Sequence, residues 1–272
     1  MSNLSLIISV YNKPEILRYV LAACARQSFS DFEVIIGDDG SGPAIRQVVE
    51  EARSSYSFPL THLWHEDLGW RKNVMLNNCI RTATGTHLVF IDGDCLPSRH
   101  FLADHWNNRQ EQKTLLGRRV MTSRRWSEGL TLDQIRDGSF EKIGFRELIE
   151  SFRGELSHME EGIRIASPFF RKILRRKAKG MLGSNFSVAK GHLVAVNGFD
   201  ELYDGPGCGE DTDIEYRLSL IGVTGASLRN LAIQFHVYHP WTKTSQACWD
   251  RFHKIVKGTT DPRCKMGLEK LK

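Results

Sequence analysis

Two carboxylates separated by a single glycine, Asp92-Gly93-Asp94, close a short β-branched and aromatic run that starts near His87. A run apolar on both sides reads as a strand buried in a parallel sheet. Carboxylates at its end can turn toward a common point just beyond it, and hard oxygen ligands so placed suit a divalent cation, Mn²⁺ or Mg²⁺. Asp-Gly-Asp is also ordinary turn chemistry, so the metal reading depends on what other segments deliver. A second acidic cluster, Glu210-Asp211-Thr212-Asp213, follows a glycine-rich stretch at 205–209 and opens a helical pattern with Ile214, Leu218 and Ile221. Acidic residues in a first helical turn serve as simple caps favoured by the dipole. Asp211, behind a loop that allows close approach of a ligand, equally has the placement of a general base. His236 and His239 form a third group; one histidine in a strand is ordinarily structural, but an Asp-x-Asp in need of partners makes both candidate ligands.

The elements that must position these groups alternate regularly. Residues 4–10 read as a buried strand, followed by Tyr11-Asn12-Lys13-Pro14 and a helix carrying Ile16, Leu17, Val20 and Leu21, with Pro14 suited to its first turn. The pattern repeats as a strand over 33–37 ending on Asp38-Asp39-Gly40, a helix over 43–54, a strand over 60–65 ending on Glu66-Asp67, a helix over 70–82, and the strand over 87–92. Four strands alternating with helices predict a doubly wound, right-handed parallel sheet of the α/β class. Each strand then places polar residues at its carboxyl end, where open α/β sheets bind ligands. No Gly-x-Gly-x-x-Gly follows the first strand and no P-loop motif occurs. Carboxylates facing a diphosphate therefore need a bridging cation to reverse the sign of the interaction.

Beyond a helix expected over 98–112, the pattern loosens from 113 to 179 into charged sequence with Leu148, Phe152, Phe169, Phe170, Ile173 and Leu174 interleaved. The basic stretch at 169–179 is either a solvated helix face or a contact for an anionic membrane surface. Order returns with a strand over 183–189, a short helix to Val196, a turn at 197–200 and a last strand over 232–241. The tail carries a surface helix with Trp249, Phe252 and Val256 on one face and no catalytic role. The chain divides into a nucleotide-binding half (1–112), a variable basic segment (113–180), a catalytic and acceptor-side half (181–241) and a tail (242–272), all in one compact unit.

At 272 residues the chain is long enough for one large α/β domain. Hydrophobic residues at 41% and charged residues at 25% are those of a globular protein, and no apolar run approaches the roughly 20 residues of a bilayer span. The opening residues lack the basic and apolar regions of a signal peptide, so a cytoplasmic location is expected. Six cysteines with no Cys-x-x-Cys pairing suit reduced thiols. A net charge of +5 admits anionic partners. The basic residues are dispersed and carry no nucleic-acid recognition motif, which argues against nucleic acid.

The ordered set Ile7 to Asn12, Asp38-Asp39-Gly40-Ser41, Leu68 to Lys72 with Asn77, Ile91 to Asp94, Gly183-Ser184-Asn185, Gly198-Phe199-Asp200 and Gly209 to Asp213 resembles the inverting family 2 glycosyltransferases with the GT-A fold. The second half resembles the acceptor region of galactosyltransferase-like and chondroitin-polymerase-like enzymes. The resemblance implies a metal-dependent transfer from a nucleotide-sugar, most often a UDP-sugar, to a glycan or lipid-linked acceptor in polysaccharide or lipopolysaccharide synthesis. It places Val10, Tyr11, Asn12, Asp38 and Asp39 at the base and ribose, Arg71 near the diphosphate or sugar, and Asp92 and Gly93 near the ribose and metal. Asp94 and His239 would hold the metal, with Asp92 and His236 as further ligands, and Asp211, paired with Glu210, would be the base. Two other readings stay open on the residues alone, a sugar nucleotidyltransferase and a non-catalytic nucleotide- or glycan-binding module. The first would want a glycine-rich basic loop where this chain has Tyr11 to Pro14; the second would dispense with base and metal ligands.

Overall fold

The computed structural model describes residues 2–271 apart from 143, 145–148, 150, 152, 153, 155, 175, 176, 206, 208 and 241–245. Its first half is the expected alternation of β1 (Leu4–Val10), α1 (Pro14–Ala25), β2 (Phe32–Asp38), α2 (Pro43–Ser55), β3 (Leu60–Trp64), α3 (Lys72–Thr82) and β4 (His87–Asp92). Every residue of β1 is buried except Ser9, and all of β2 is buried, as strands covered on both faces require. Because side chains alternate along a strand, Leu6, Ile8, Val34 and Ile36 pack with Leu17 and Leu21 of α1 and Val48 and Val49 of α2. Ile7 and Ile35 pack on the other side with Leu76, Cys79 and Ile80 of α3. Helices thus cover both faces.

The remaining strands are β5 (Cys95–Pro97), β6 (Lys113–Leu116), β7 (Val120–Met121), β8 (Phe186–Ala189), β9 (Thr224–Ser227) and β10 (Gln234–His236). The main sheet has seven strands in the order β3-β2-β1-β4-β8-β6-β9, with β1 to β4 mutually parallel and β8 antiparallel to both β4 and β6. The second half is stitched to the first by apolar rings: Phe90 on β4 stacks on Phe186 of β8 at 4.5 Å, and Phe199 meets both edge-on. A separate three-stranded sheet, β5-β10-β7, stands beyond the end of β4.

Several expectations change in detail. The helix expected over 98–112 is confined to Phe101–Asn107, and Gln112 lies in the left-handed region with φ 56°. The segment at 113–179 contains β6 and β7, four and two residues long, too short for any periodicity to register. Only three residues of the expected last strand are strand; Trp241 lies outside the described residues, as do Leu148 and Phe152. The tail is helical as expected, α-helix over Gln246–Arg251 and π-helix over Phe252–Val256, but its three apolar residues part: Phe252 and Val256 are buried while Trp249 is exposed, and Phe252 packs edge-on against Tyr216 of the helix Glu210–Leu220. The five described cysteines are free and buried.

Candidate active site

The in-register ends of β1, β2 and β4, with Val10 opposite Asp38 and Ser9 opposite Asp92, open into a cavity of about 650 Å³. Val10, Tyr11, Asp39, Asp92, Gly93 and Asp94 line it, and His239 closes one side. Gly93 is required there by close approach. Its N–H donates to Ser9 O at 2.7 Å, and a Cβ would lie 2.9 Å from that same oxygen. Asp39 accepts from the Arg71 N–H at 2.9 Å and from His65 Nε2 at 2.7 Å; burial raises its pKa, and these donors only partly offset the rise. Tyr11, half exposed, donates its hydroxyl to Asp67 at 2.9 Å.

Three predicted residues act on the walls and not in the cavity. Asp38 is 1% exposed and turned inward, accepting from Ser41 N at 2.8 Å and from His62 at 3.0 Å. Asn12, at φ 48°, accepts from Gly42 N at 3.0 Å and donates its own N–H to Ser41 Oγ at 2.9 Å, tying the first two loops together. Arg71 contributes its main-chain N–H to Asp39, while its neighbours Trp70 and Lys72 form the cavity wall.

The acidic turn splits into two environments. Asp92 accepts from Ser9 Oγ at 2.9 Å and from Lys72 Nζ at 2.8 Å, with Arg119 3.8 Å away. Asp94 faces His236 Nε2 at 3.5 Å, His239 Nε2 at 3.3 Å and Lys13 Nζ at 2.9 Å. Burial would push Asp94 up, but His239, His236 and Lys13 hold it well below the usual carboxylate range. The small sheet creates this cluster. Antiparallel pairing sets His236 opposite Cys95, and the Val237 N–H donates to Asp94 O at 2.9 Å.

Among the described residues, Asp94, Cys95 and His236 bring ligand atoms within 4.8 Å of one another, and His239 Nε2 stands 3.3 Å from the same carboxylate, a group that could hold a divalent cation. His239 Nδ1 lies 2.9 Å from Pro240 O, which fixes the ring, and its hydrogen bond to Asp94 raises its pKa, so a cation bound there would displace the Nε2 proton. Burial pushes His236 down to about 4, against the opposing pull of Asp94, so its imidazole is neutral near pH 7, and its buried Nδ1 has no partner among the described residues. A carboxylate oxygen with imidazole nitrogens suits Mn²⁺ better than Mg²⁺, which favours oxygen alone.

On the other side of Lys72 stands the second acidic cluster. Glu210 and Asp211 open the helix Glu210–Leu220, and Asp211 accepts from Gly183 N at 2.7 Å. A Cβ on residue 183 would lie 2.3 Å from Asp211 Oδ1, so only glycine leaves this carboxylate its seat. Burial first, then the neighbouring Glu210, push Asp211 up to about 7 despite Lys72 and the Gly183 N–H. Burial alone would lower Lys72, but Asp92, Glu210 and Asp211 raise it above the ordinary lysine range. Lys72 thus links the two carboxylate groups, and sequence reasoning missed its role; its one signal was its place beside Arg71 at the start of a helix.

Asp213 has a different role. It accepts from Arg217 Nε at 3.0 Å and Nη2 at 2.6 Å, while Arg217 Nη1 donates to Val196 O at 2.7 Å and Gly198 O at 2.9 Å, all buried. Asn77 likewise clasps Phe199 through its O and N at 2.9 Å each, making Gly198-Phe199-Asp200 a scaffold. Asp213→Ala strands the buried guanidinium and is expected to cost about 3 kcal/mol or more, read as a fall in denaturation midpoint. An unchanged midpoint would refute this structural role.

The mostly parallel sheet covered by helices on both faces has the architecture of the GT-A glycosyltransferases. Residues 5–177 match the glycosyl transferase family 2, and the chain belongs to that family. It is 26% identical over 251 residues to the chondroitin synthase of Escherichia coli, covering 87% of this chain and 35% of that protein. In fold it is similar to the mannosyltransferase PcManGT of Pyrobaculum calidifontis, solved with GDP-Man and Mn²⁺, with a TM-score of 0.56 and 16% identity over 86% of this chain and 56% of that one. It is also similar to GalNAc-T7, solved with UDP, GalNAc and Mn²⁺, with a TM-score of 0.66 and 13% identity over 94% and 48%. The chain therefore spans about a third of the length of that curated relative and about half of each solved chain.

Proposed function

We propose that the protein transfers a sugar, with inversion, from a UDP-sugar to a glycan or lipid-linked acceptor in polysaccharide or lipopolysaccharide synthesis. The observation that carries this reading is the position of Lys72, which donates to Asp92 in the donor cavity and acts electrostatically on Asp211, the group with the affinity of a general base near pH 7. Asp94, His239 and His236 would hold a divalent cation, which when bound stabilises the negative charge of the departing diphosphate as a Lewis acid. Asp92, held by Lys72, adds negative field beside that ligand set. Asp211, with Glu210 beside it, takes the proton from the attacking acceptor hydroxyl. The test is incubation with a panel of nucleotide-sugars, with and without Mn²⁺, while following nucleoside diphosphate release; release from none of them would reject the reading.

For the donor, Asp39 is a pure acceptor, which suits the N3–H of uracil and opposes the N3 lone pair of cytosine. The exposed ring of Tyr11 provides a face beside it. Calorimetric titration is expected to show UDP binding at least about tenfold, or 1.4 kcal/mol, tighter than CMP or GDP. Binding of GDP or CMP with UDP ignored would reject uridine.

The membrane part of the proposal draws on the helix Pro168–Leu174, where Phe169, Phe170, Ile173 and Leu174 are all exposed, Phe169 by 67%. Lys172 and Lys177 are exposed beside them, whereas Arg175 and Arg176 of the basic stretch lie outside the described residues. No described helix is long and apolar enough to cross a membrane, so the contact would be peripheral, at the cytoplasmic face. Vesicles rich in anionic lipid are expected to sediment the protein at low salt. Lys172→Gln and Lys177→Gln should each weaken binding by about 1 kcal/mol, roughly fivefold. Failure of such vesicles to bind the protein would remove the membrane contact and leave the transfer reaction standing.

A further inference from the structure

Beyond His239 lies a second cavity, of about 600 Å³, walled by Arg118, Arg119, His158, Lys179 and the backbone at 180–182. His239 is common to both cavities. The wall at 180–182 runs directly into Gly183, whose N–H holds Asp211. The second cavity thus adjoins the segment that holds Asp211, on the far side of His239 from the nucleotide site.

Among the described residues, its charges do not balance. The one carboxylate among the described wall residues, Glu161, is engaged by Arg229, whose Nε donates to it at 2.6 Å. Arg118 donates only to main-chain carbonyls, Gly117 O at 3.0 Å and Gly180 O at 2.8 Å, and has no carboxylate partner among the described residues. Burial pulls its guanidinium below the ordinary arginine range, with Glu161 opposing only in part. Arg119, its side chain 16% exposed, donates to Ser184 Oγ at 3.0 Å and stays 3.8 Å from Asp92. Lys179 is exposed and has no charged partner among the described residues. Arg118 is therefore a partly desolvated cation without a carboxylate partner among the described residues, which is costly unless an anion answers it, and a guanidinium fork matches phosphate or carboxylate geometry.

We propose that the acceptor is an anionic glycan, with a phosphate or carboxylate on or next to the reacting sugar seated on Arg118, Arg119 and Lys179 and its hydroxyl directed to Asp211. This rests on the glycosyltransferase reading and adds a substrate class to it.

The test is calorimetric titration of the full chain, with and without UDP and Mn²⁺, with methyl glucoside, N-acetylglucosamine, methyl glucuronide and glucose 6-phosphate. At least one anionic probe is expected to bind about tenfold tighter than the neutral sugars, and that preference to shrink about tenfold in Arg118→Gln and in Lys179→Gln. Whichever anion leads, glucuronide or phosphate, identifies the group the acceptor carries. Lys179 is exposed, so its variant keeps the test standing if Arg118→Gln misfolds. Equal affinities, no binding by either anionic probe, or a preference that survives in the folded variants would overturn the proposal. UDP affinity is measured in the same samples. A wild-type protein that ignores UDP yet keeps the anion preference would count against sugar transfer from UDP, while a protein that binds UDP and shows no preference would count against the anionic acceptor alone.

Discussion

Asp211→Asn is expected to lower kcat by roughly a hundred- to ten-thousand-fold, the range for loss of a general base, while UDP and metal affinity stay nearly unchanged. Asparagine keeps the shape and can still accept from the Gly183 N–H, but it cannot hold a proton taken from an attacking hydroxyl. The pH dependence has a definite sign. With Asp211 raised to about 7 by burial and Glu210, the carboxylate form is lost as pH falls through about 7, so kcat should fall with it in the wild type. Stability should move the opposite way. A carboxyl whose folded pKa lies above its unfolded value contributes stability that is fully present below the unfolded value, near 4, and is lost as pH rises through about 7. Asp211→Asn is neutral at every pH and escapes that loss. Above pH 7 it should therefore be more stable than the wild type, by on the order of 1 kcal/mol or more, while being nearly inactive. Wild-type turnover in this variant, or loss of donor binding instead of turnover, would move the base to Glu210 or elsewhere.

Chelation is expected to abolish transfer and added Mn²⁺ to restore it, with Mg²⁺ less effective because two imidazoles stand in the proposed ligand set. Asp94→Ala should reproduce the loss and resist rescue. It removes the only carboxylate that faces His236, His239 and Lys13 together among the described residues. Lewis-acid stabilisation of a leaving diphosphate is worth several kcal/mol, so the loss should be on the order of a thousandfold or more in rate. Metal binding by the protein alone, followed through Mn²⁺ paramagnetic relaxation, separates a lost site from a lost step. Full activity of the purified protein in excess chelator would sink the metal reading, as would wild-type Mn²⁺ binding by the Asp94→Ala variant.

The first half of the fold was legible because its signals are local and repeated. The strands and helices from Leu4 to Asp92 are long enough for apolar runs and helical spacing to register, and they lie within a residue or two of expectation. The second half was not. β6, β7 and β9 are four residues or fewer, and they exist because neighbouring strands complete their hydrogen bonds, which no local pattern encodes. The tail misled for a related reason. Trp249, Phe252 and Val256 read as one face of a surface helix, but Phe252 and Val256 are buried, Phe252 against Tyr216 of the helix that carries Asp211, while Trp249 stays exposed.

Residue chemistry alone determined which groups could act: acceptor-only carboxylates at strand ends, a carboxylate pair at a helix start, and histidines able to ligate. Those properties travel with the side chains wherever the chain puts them. Only tertiary structure decided how they are shared out, because burial and neighbouring charge depend on segments far apart in sequence. Asp38 and Asp39 are adjacent, yet one is sealed behind Ser41 and His62 and the other faces the cavity. Asp211 and Asp213 are two residues apart, yet Arg217 neutralises one and the packing around Gly183 desolvates the other. Nothing in the local sequence pairs Lys13 with Asp94 or Lys72 with Asp92; the sheet brings them within 2.9 Å and 2.8 Å. A Coulomb interaction depends on distance and dielectric, and both are set by the fold.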